Sequence, residues 1–215
     1  MRLVLPRLYV ILDAALIPTS TSEIESAVRL AEAGVRILQY RNKSAPAREL
    51  FEKSQALAEA LRPRGVTFVV NDRPDVAALA GADGVHVGQQ DLEVEAARGV
   101  LGADKWVGVS THNLEQFREA AATSADYIAV GPIFPTASKA NPDPVVGIGL
   151  VRAARQLSDK PIVAIGGVSL ERAAEVFEAG ADSVAVISGI WQAADPSARA
   201  RQYLAALQGA KGRAV

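Results

Sequence analysis

The chain alternates short runs of aliphatic, mostly β-branched residues with longer stretches whose apolar positions recur at helical spacing. Four of the short runs sit inside a recurring phrase. Glu32-Ala-Gly-Val-Arg-Ile-Leu precedes Gln39, Ala80-Gly-Ala-Asp-Gly-Val-His-Val precedes Gly88, Ser124-Ala-Asp-Tyr-Ile-Ala-Val precedes Gly131, and Glu178-Ala-Gly-Ala-Asp-Ser-Val-Ala-Val precedes Ile187. Each copy reads as a helix end closed by a small residue, a tight turn and a strand. The copies recur about every 50 residues, the length of two βα units. Between them fall Leu8–Leu12, Val66–Val70, Trp106–Val109 and Pro161–Ile165, which brings the predicted strands to eight.

A helical pattern follows each strand: Ser22–Ala33, Pro46–Leu61, Pro74–Ala80, Leu92–Val100, Leu114–Ala122, Ile148–Leu157, Leu170–Ala179 and Pro196–Leu207. Asp195 before Pro196 and Ser169 before Leu170 have the chemistry of N-caps. The strands are apolar almost throughout, as parallel strands covered on both faces are. Eight even βα units predict an α/β fold, a (β/α)8 TIM barrel forming a single domain over residues 1–215, with a doubly wound open sheet as the alternative. The barrel also says where chemistry belongs: in the loops that leave the C-terminal ends of the strands.

Composition narrows the ligand class. The 215 residues carry a formal net charge of −1, so no basic excess points to nucleic acid or to an anionic membrane. An anionic small molecule must then be held by a local cluster of donors. With 49% apolar and 22% charged residues the chain has the balance of a globular domain, and without cysteine it has no thiolate chemistry. The apolar N-terminus is interrupted by Pro6 and Arg7 and ended by Asp13, which suits a first strand better than a signal peptide. No stretch nears the roughly 20 apolar residues of a membrane span. The expected location is cytoplasmic.

The strand ends carry the informative residues. After strand 2, Gln39-Tyr40-Arg41-Asn42-Lys43 offers an amide and two cations, a fork and a point charge suited to a diphosphate; a solvated basic loop is the plainer reading. Asn71-Asp72 ends strand 3 and Gln89-Gln90-Asp91 follows strand 4, so the two aspartates top neighbouring strands about 4.8 Å apart. Carboxylates held that close call for a cation between them, and hard oxygen ligands with room for water and phosphate suit Mg²⁺. Either aspartate can instead serve as a helix cap, Asp91 ahead of Leu92 above all.

After strand 5, Ser110-Thr111-His112-Asn113 presents hydroxyls for a phosphate or the cap of the next helix. The loop after strand 6, Gly131 to Gly147, is long enough to be a binding loop and brings Thr136, Ala137, Ser138 and Lys139. Gly166-Gly167 after strand 7 and Ile187-Ser188 after strand 8 occupy the recurrent phosphomonoester site of barrel enzymes. A cationic, metal-bearing site for a diphosphate thus faces a neutral site for a monophosphate, which suggests two substrates and a diphosphate leaving group.

Taken in order, Gln39-Tyr-Arg41-Asn-Lys43, Asn71-Asp72, Val85-His-Val-Gly-Gln-Gln-Asp91, Val109-Ser110, Gly131-Pro-Ile-Phe-Pro-Thr136-Ala-Ser138-Lys139, Ile165-Gly-Gly167 and Ile187-Ser188 resemble the thiamine-phosphate synthase family over nearly the whole chain. The resemblance implies that Gln39, Tyr40, Arg41, Asn42, Lys43, Asn71, Ser110 and Lys139 bind an aminopyrimidine diphosphate, with Arg41, Lys43, Ser110 and Lys139 acting on the reacting group. It implies one Mg²⁺ on Asp72 and Asp91, and thiazole phosphate on Thr136, Ala137, Ser138, Gly167, Ile187 and Ser188. The implied chemistry is dissociative, with pyrophosphate leaving before the thiazole nitrogen captures a pyrimidinylmethyl cation. The partners are small-molecule substrates, with a homodimer as the possible assembly. Leu12 precedes Asp13 where members often carry Thr-Asp, and Ser138 stands where Thr is common. Three other readings compete: a thiazole phosphate tautomerase, for which His112 is a natural proton shuttle, a non-catalytic binder of thiamine intermediates, and a sugar-phosphate epimerase-like barrel.

Overall fold

The computed structural model describes residues 3–18, 20–136 and 143–210. Eight parallel strands close into a barrel in sequence order: β1 Leu8–Asp13, β2 Ile37–Arg41, β3 Thr67–Asn71, β4 Gly84–Val87, β5 Trp106–Thr111, β6 Tyr127–Val130, β7 Ile162–Ile165 and β8 Ser183–Val186. Pairing of Leu8 with Val184 and of Val10 with Val186 joins the last strand to the first. The helices are α1 Glu23–Glu32, α2 Ala47–Leu61, α3 Pro74–Leu79, α4 Val94–Leu101, α5 Leu114–Ala122, α6 Gly147–Leu157, α7 Ala173–Glu178, α8 Ser188–Trp191 and α9 Pro196–Gln208. The closed barrel removes the open sheet from consideration.

Several local expectations need correction. Helix α4 begins at Val94 with Glu93 at its cap position, so Asp91 caps nothing. Ser169 makes no side-chain cap bond, and the segment behind it is a 3-10 turn, Leu170–Arg172, that only then becomes α7. Asp195, Ser22 and Asn113 do cap, accepting from the N–H groups of Ala198, Glu25 and Gln116. Strand β5 runs two residues beyond Val109, and the four-residue helix α8 was not foreseen.

Alternation along each strand makes two cores. Leu38 and Tyr40 of β2 face the helices, whereas Ile37 packs inside the barrel with Tyr9, Ile11, Val69, Tyr127 and Val163. Gly108 leaves the room that Tyr127 needs, since a Cβ there would overlap the tyrosine ring.

The recurring phrase has a structural job at the opposite face. Its aspartates, Asp83, Asp126 and Asp182, precede β4, β6 and β8 and accept the backbone N–H of Phe68, Val107 and Ile162 on the preceding strands at 2.7–2.8 Å. Arg98 and Arg155 bind Asp126 and Asp182 and also cap nearby carbonyls. In the first copy the position is Arg36, which binds the carbonyls of Ala31 and Val35 instead. The N-terminal rim is thus spent on stability, and the C-terminal rim is left for ligands.

Candidate active site

On the β1–β4 side of the mouth, Arg41 ends β2 in register with Asp13 of β1, and the two form an ion pair. Asp13 is buried and also accepts from the N–H of Ala15 at 3.1 Å. The guanidinium is therefore held in place before any ligand arrives. Asp13 had no role in the sequence reading; its partner lies 28 residues away and only the β1–β2 register unites them.

Asp72 follows β3 with φ 63°, the one non-glycine residue in the left-handed region among those described. Aspartate tolerates that conformation better than most residues. The Asp72 N–H donates to the carbonyl of His86 at 2.8 Å, which fixes the turn against β4. Its carboxylate lies 2.9 Å from Lys43 Nζ. Asp91 accepts from the Gly88 N–H at 2.7 Å. Burial lifts its carboxyl above the usual range, the Gly88 N–H works against that, and the facing Asp72 carboxylate lifts it further while Lys43 pulls it down. Among the described residues, two facing carboxylates with one largely exposed lysine paired to Asp72 form a site short of positive charge.

No group of three or more histidine, cysteine, aspartate or glutamate residues able to hold a metal occurs among the described residues. Two carboxylates suit a hard cation that completes its shell with water and substrate oxygens, as Mg²⁺ does. The donor set fits.

A buried polar chain lies beneath. Gln39 donates to Tyr9 at 2.9 Å, Tyr9 and Tyr127 share a 3.0 Å hydroxyl contact, Tyr127 meets His86 Nδ1 at 3.1 Å, and His86 Nε2 meets Ser110 Oγ at 2.8 Å. Burial raises both phenols, so they stay neutral donors. The chain links β2, β1, β6, β4 and β5 and ends on a predicted site residue. His86 is thus a hydrogen-bonded residue of the barrel interior in contact with Ser110. Gln39 itself is only 2% exposed and engaged in this network. Asn71, in register with His86, sits half-buried beside it.

Three residues expected to meet ligands make internal contacts. Tyr40 is fully buried in the layer between strand and helices, because neighbours of the inward Gln39 and Arg41 must point outward. Asn42 donates to the Tyr40 hydroxyl at 3.2 Å and accepts from the N–H groups of Ser44 and Ala45, so it shapes the turn. The Thr111 hydroxyl, offered to a phosphate in the sequence reading, donates to the carbonyl of Ala129 in full burial.

On the opposite side the β6–α6 connection lies against the β7 end: the N–H groups of Ile133 and Phe134 donate to the carbonyls of Ile165 and Gly166, both at 2.9 Å. Gly167 has φ 65° and sits so close to the carbonyls of Phe134 and Pro135 that no side chain fits. Ile187 and Ser188 open α8 directly after β8. This side is not wholly neutral, as Arg172 stacks 4.5 Å above the Phe134 ring. Thr136 is half-buried at the end of the described stretch, and Ala137, Ser138 and Lys139 lie outside the described residues.

Comparison with known proteins agrees with this geometry. The family model described as thiamine monophosphate synthase matches residues 8–190. A thiamine-phosphate synthase of Koribacter versatilis is 50% identical over 203 residues, 93% of this chain and 95% of its own. One from Chloroflexus aurantiacus is 44% identical, over 93% of this chain and 91% of its own. The solved thiamine phosphate pyrophosphorylase from Pyrococcus furiosus superposes with a TM-score of 0.87 at 34% identity, covering 96% of this chain and 97% of that one. A barrel with paired carboxylates on β3 and β4 and a glycine-lined rim on β7, matched to these relatives along almost its whole length, belongs to the thiamine monophosphate synthase family.

Proposed function

We propose that the protein condenses 4-amino-2-methyl-5-(diphosphooxymethyl)pyrimidine with thiazole phosphate, or its carboxylated form, to give thiamine phosphate and pyrophosphate. The observation that carries the proposal is the pairing of Asp72 and Asp91 beside Lys43, with Arg41 held by Asp13 at the end of β2, a set suited to receive a cation and a diphosphate together. In the reaction the C–O bond to the diphosphate breaks with its electron pair leaving on oxygen, and the thiazole nitrogen supplies the pair for the new C–N bond. No nucleophilic side chain is needed. The work is charge stabilisation and alignment.

Arg41, braced by Asp13, and Lys43, which is exposed enough to swing from Asp72 to a ligand, would meet the diphosphate oxygens with Ser110 and Lys139. Asp72 and Asp91 would hold Mg²⁺, which when bound neutralises charge on the departing pyrophosphate. His86 keeps the Ser110 hydroxyl oriented. Gly167, Ile187 and Ser188 would receive the thiazole phosphate together with Thr136, Ala137 and Ser138, the close glycine contact leaving backbone rather than side chains at the rim.

Among the described residues no helix is long and apolar enough to cross a membrane. The cytoplasm is proposed as the compartment because both substrates are phosphorylated small molecules. A homodimer is proposed on the general preference for two-fold assemblies, and light scattering tests it. For the activity, purified protein is mixed with both substrates and Mg²⁺, and pyrophosphate and thiamine phosphate are measured while each component is left out in turn. Thiamine phosphate should form only from the complete mixture. Its absence there, or conversion of the thiazole alone, would replace the synthase reading with a binder or a tautomerase.

A further inference from the structure

His112 is one of two histidines in the chain and stands between β5 and α5, beside the base of the β6–α6 connection. Its ring touches both ends of that connection. Nδ1 lies 2.6 Å from the carbonyl oxygen of Gly131, just after β6, and Nε2 lies 3.5 Å from Oδ2 of Asp143, shortly before α6. A carbonyl only accepts, so Nδ1 carries a proton in the first contact. Nε2 then faces the Asp143 carboxylate across that 3.5 Å.

The surroundings hold the ring there. The His112 N–H donates to Gln116 at 2.7 Å, Thr111 is anchored on Ala129 and Asn113 caps α5. The two ends of the connection also share a backbone bond, from the Val146 N–H to the Pro132 carbonyl at 2.9 Å. The groups facing the ring are thus the neutral Gly131 carbonyl from the β6 end and the Asp143 carboxylate from the α6 end, with the neutral Gln116 amide close by on α5. Asp143 is the one carboxylate within ion-pair reach of it among the described residues.

We infer that His112 is a positioning residue: it ties Gly131 to Asp143 and so sets how the two described ends of the connection that bears Thr136 stand relative to each other. The inference rests on the substrate-binding role given to that loop above. With the tie removed, affinity for the thiazole phosphate should fall.

Two measurements test this. In substrate-free protein, ¹⁵N shifts of the two histidine rings report which nitrogens carry protons. Nδ1 of His112 should carry a proton, donated to the Gly131 carbonyl. A wild-type ring that is neutral with its proton on Nε2 overturns the proposal. In kinetics, His112→Gln should raise KM for thiazole phosphate about tenfold while the melting temperature moves by less than about 4 °C. The turnover number at saturating thiazole phosphate should fall far less than KM rises. Asp143→Asn should reproduce the effect, and the double variant should be no worse than either single one. An unchanged KM or additive losses overturn the proposal. The ring spectra need no turnover, so failure of the synthase reading and failure of the His112 tie would be told apart.

Discussion

Asp72→Asn isolates what the paired carboxylates do. Asparagine accepts the φ of 63° about as readily as aspartate, so the turn after β3 should survive and only the charge is removed. Two effects on stability then oppose each other. The contact with Lys43 at 2.9 Å is lost, but the lysine side chain is 57% exposed and such a pair is worth about 0–1 kcal/mol. The repulsion that helps lift Asp91 above the usual carboxylate range is also relieved. The net change should stay within about 1 kcal/mol, or roughly 2–4 °C in melting temperature for a chain of this size. Turnover should behave very differently. Loss of one preorganised electrostatic group costs about 10²–10³-fold, ~2.7–4 kcal/mol. Mg²⁺ should also raise the melting temperature of the wild type and not of the variant, because only binding to the folded state stabilises it. Asp72→Ala adds a backbone control, since alanine in the left-handed region costs about 1–2 kcal/mol. Pyrophosphate release and thermal melts with and without Mg²⁺ supply the data. Turnover within threefold of wild type would refute the reasoning, and so would a melting temperature lowered by more than about 8 °C, which would make Asp72 a structural residue.

The other predictions concern the frame around the site. Asp182→Ala removes the acceptor of the Ile162 N–H and the partner of Arg155, both far from the mouth. It should cost about 2–3 kcal/mol in a denaturant titration with kcat unchanged at 25 °C, and a large loss of kcat in a still-folded variant would contradict the division of the two rims. Tyr40→Phe should lower stability by about 1 kcal/mol through the lost Asn42 bond and leave KM for the pyrimidine diphosphate within twofold; a tenfold rise would return Tyr40 to the substrate contacts. Burial disfavours the Glu23 carboxylate, but the hydrogen bond and charge of Lys53, 2.9 Å away, outweigh it and hold Glu23 below the usual range. A depressed folded value means stability that is present above the unfolded value of about 4.3 and lost as pH falls through the folded one. The gap in urea midpoint between wild type and Glu23→Gln should therefore be visible at neutral pH and close in acid, and a gap that widens in acid would reverse the assignment.

Much of the architecture could be read directly from one dimension. Apolar runs bounded by small residues marked all eight strands, because a parallel barrel buries both faces of each strand and leaves few polar interruptions. The end of each strand then marked where the candidate site was expected, since loops on one rim alone can reach a common ligand. Asp195 and Asn113 could be read as caps because capping is a contact over three residues.

What the linear pattern could not settle involved direction or distance. Gln39 to Lys43 looked like one binding stretch, yet successive side chains in a strand point to opposite faces, so Tyr40 left the mouth while Gln39 and Arg41 stayed on the inner side. Asp91 resembled a cap until the chain took two more residues before turning helical. The bracing of Arg41 by Asp13, the chain from Gln39 to Ser110 and the reach of His112 to Asp143 join residues 28 to 71 positions apart or pass through several strands. Local sequence determines which segments become strands and helices, because propensity and periodicity act over a few residues. Barrel closure alone decides which side chains meet, because register and inward direction exist only once the strands are paired.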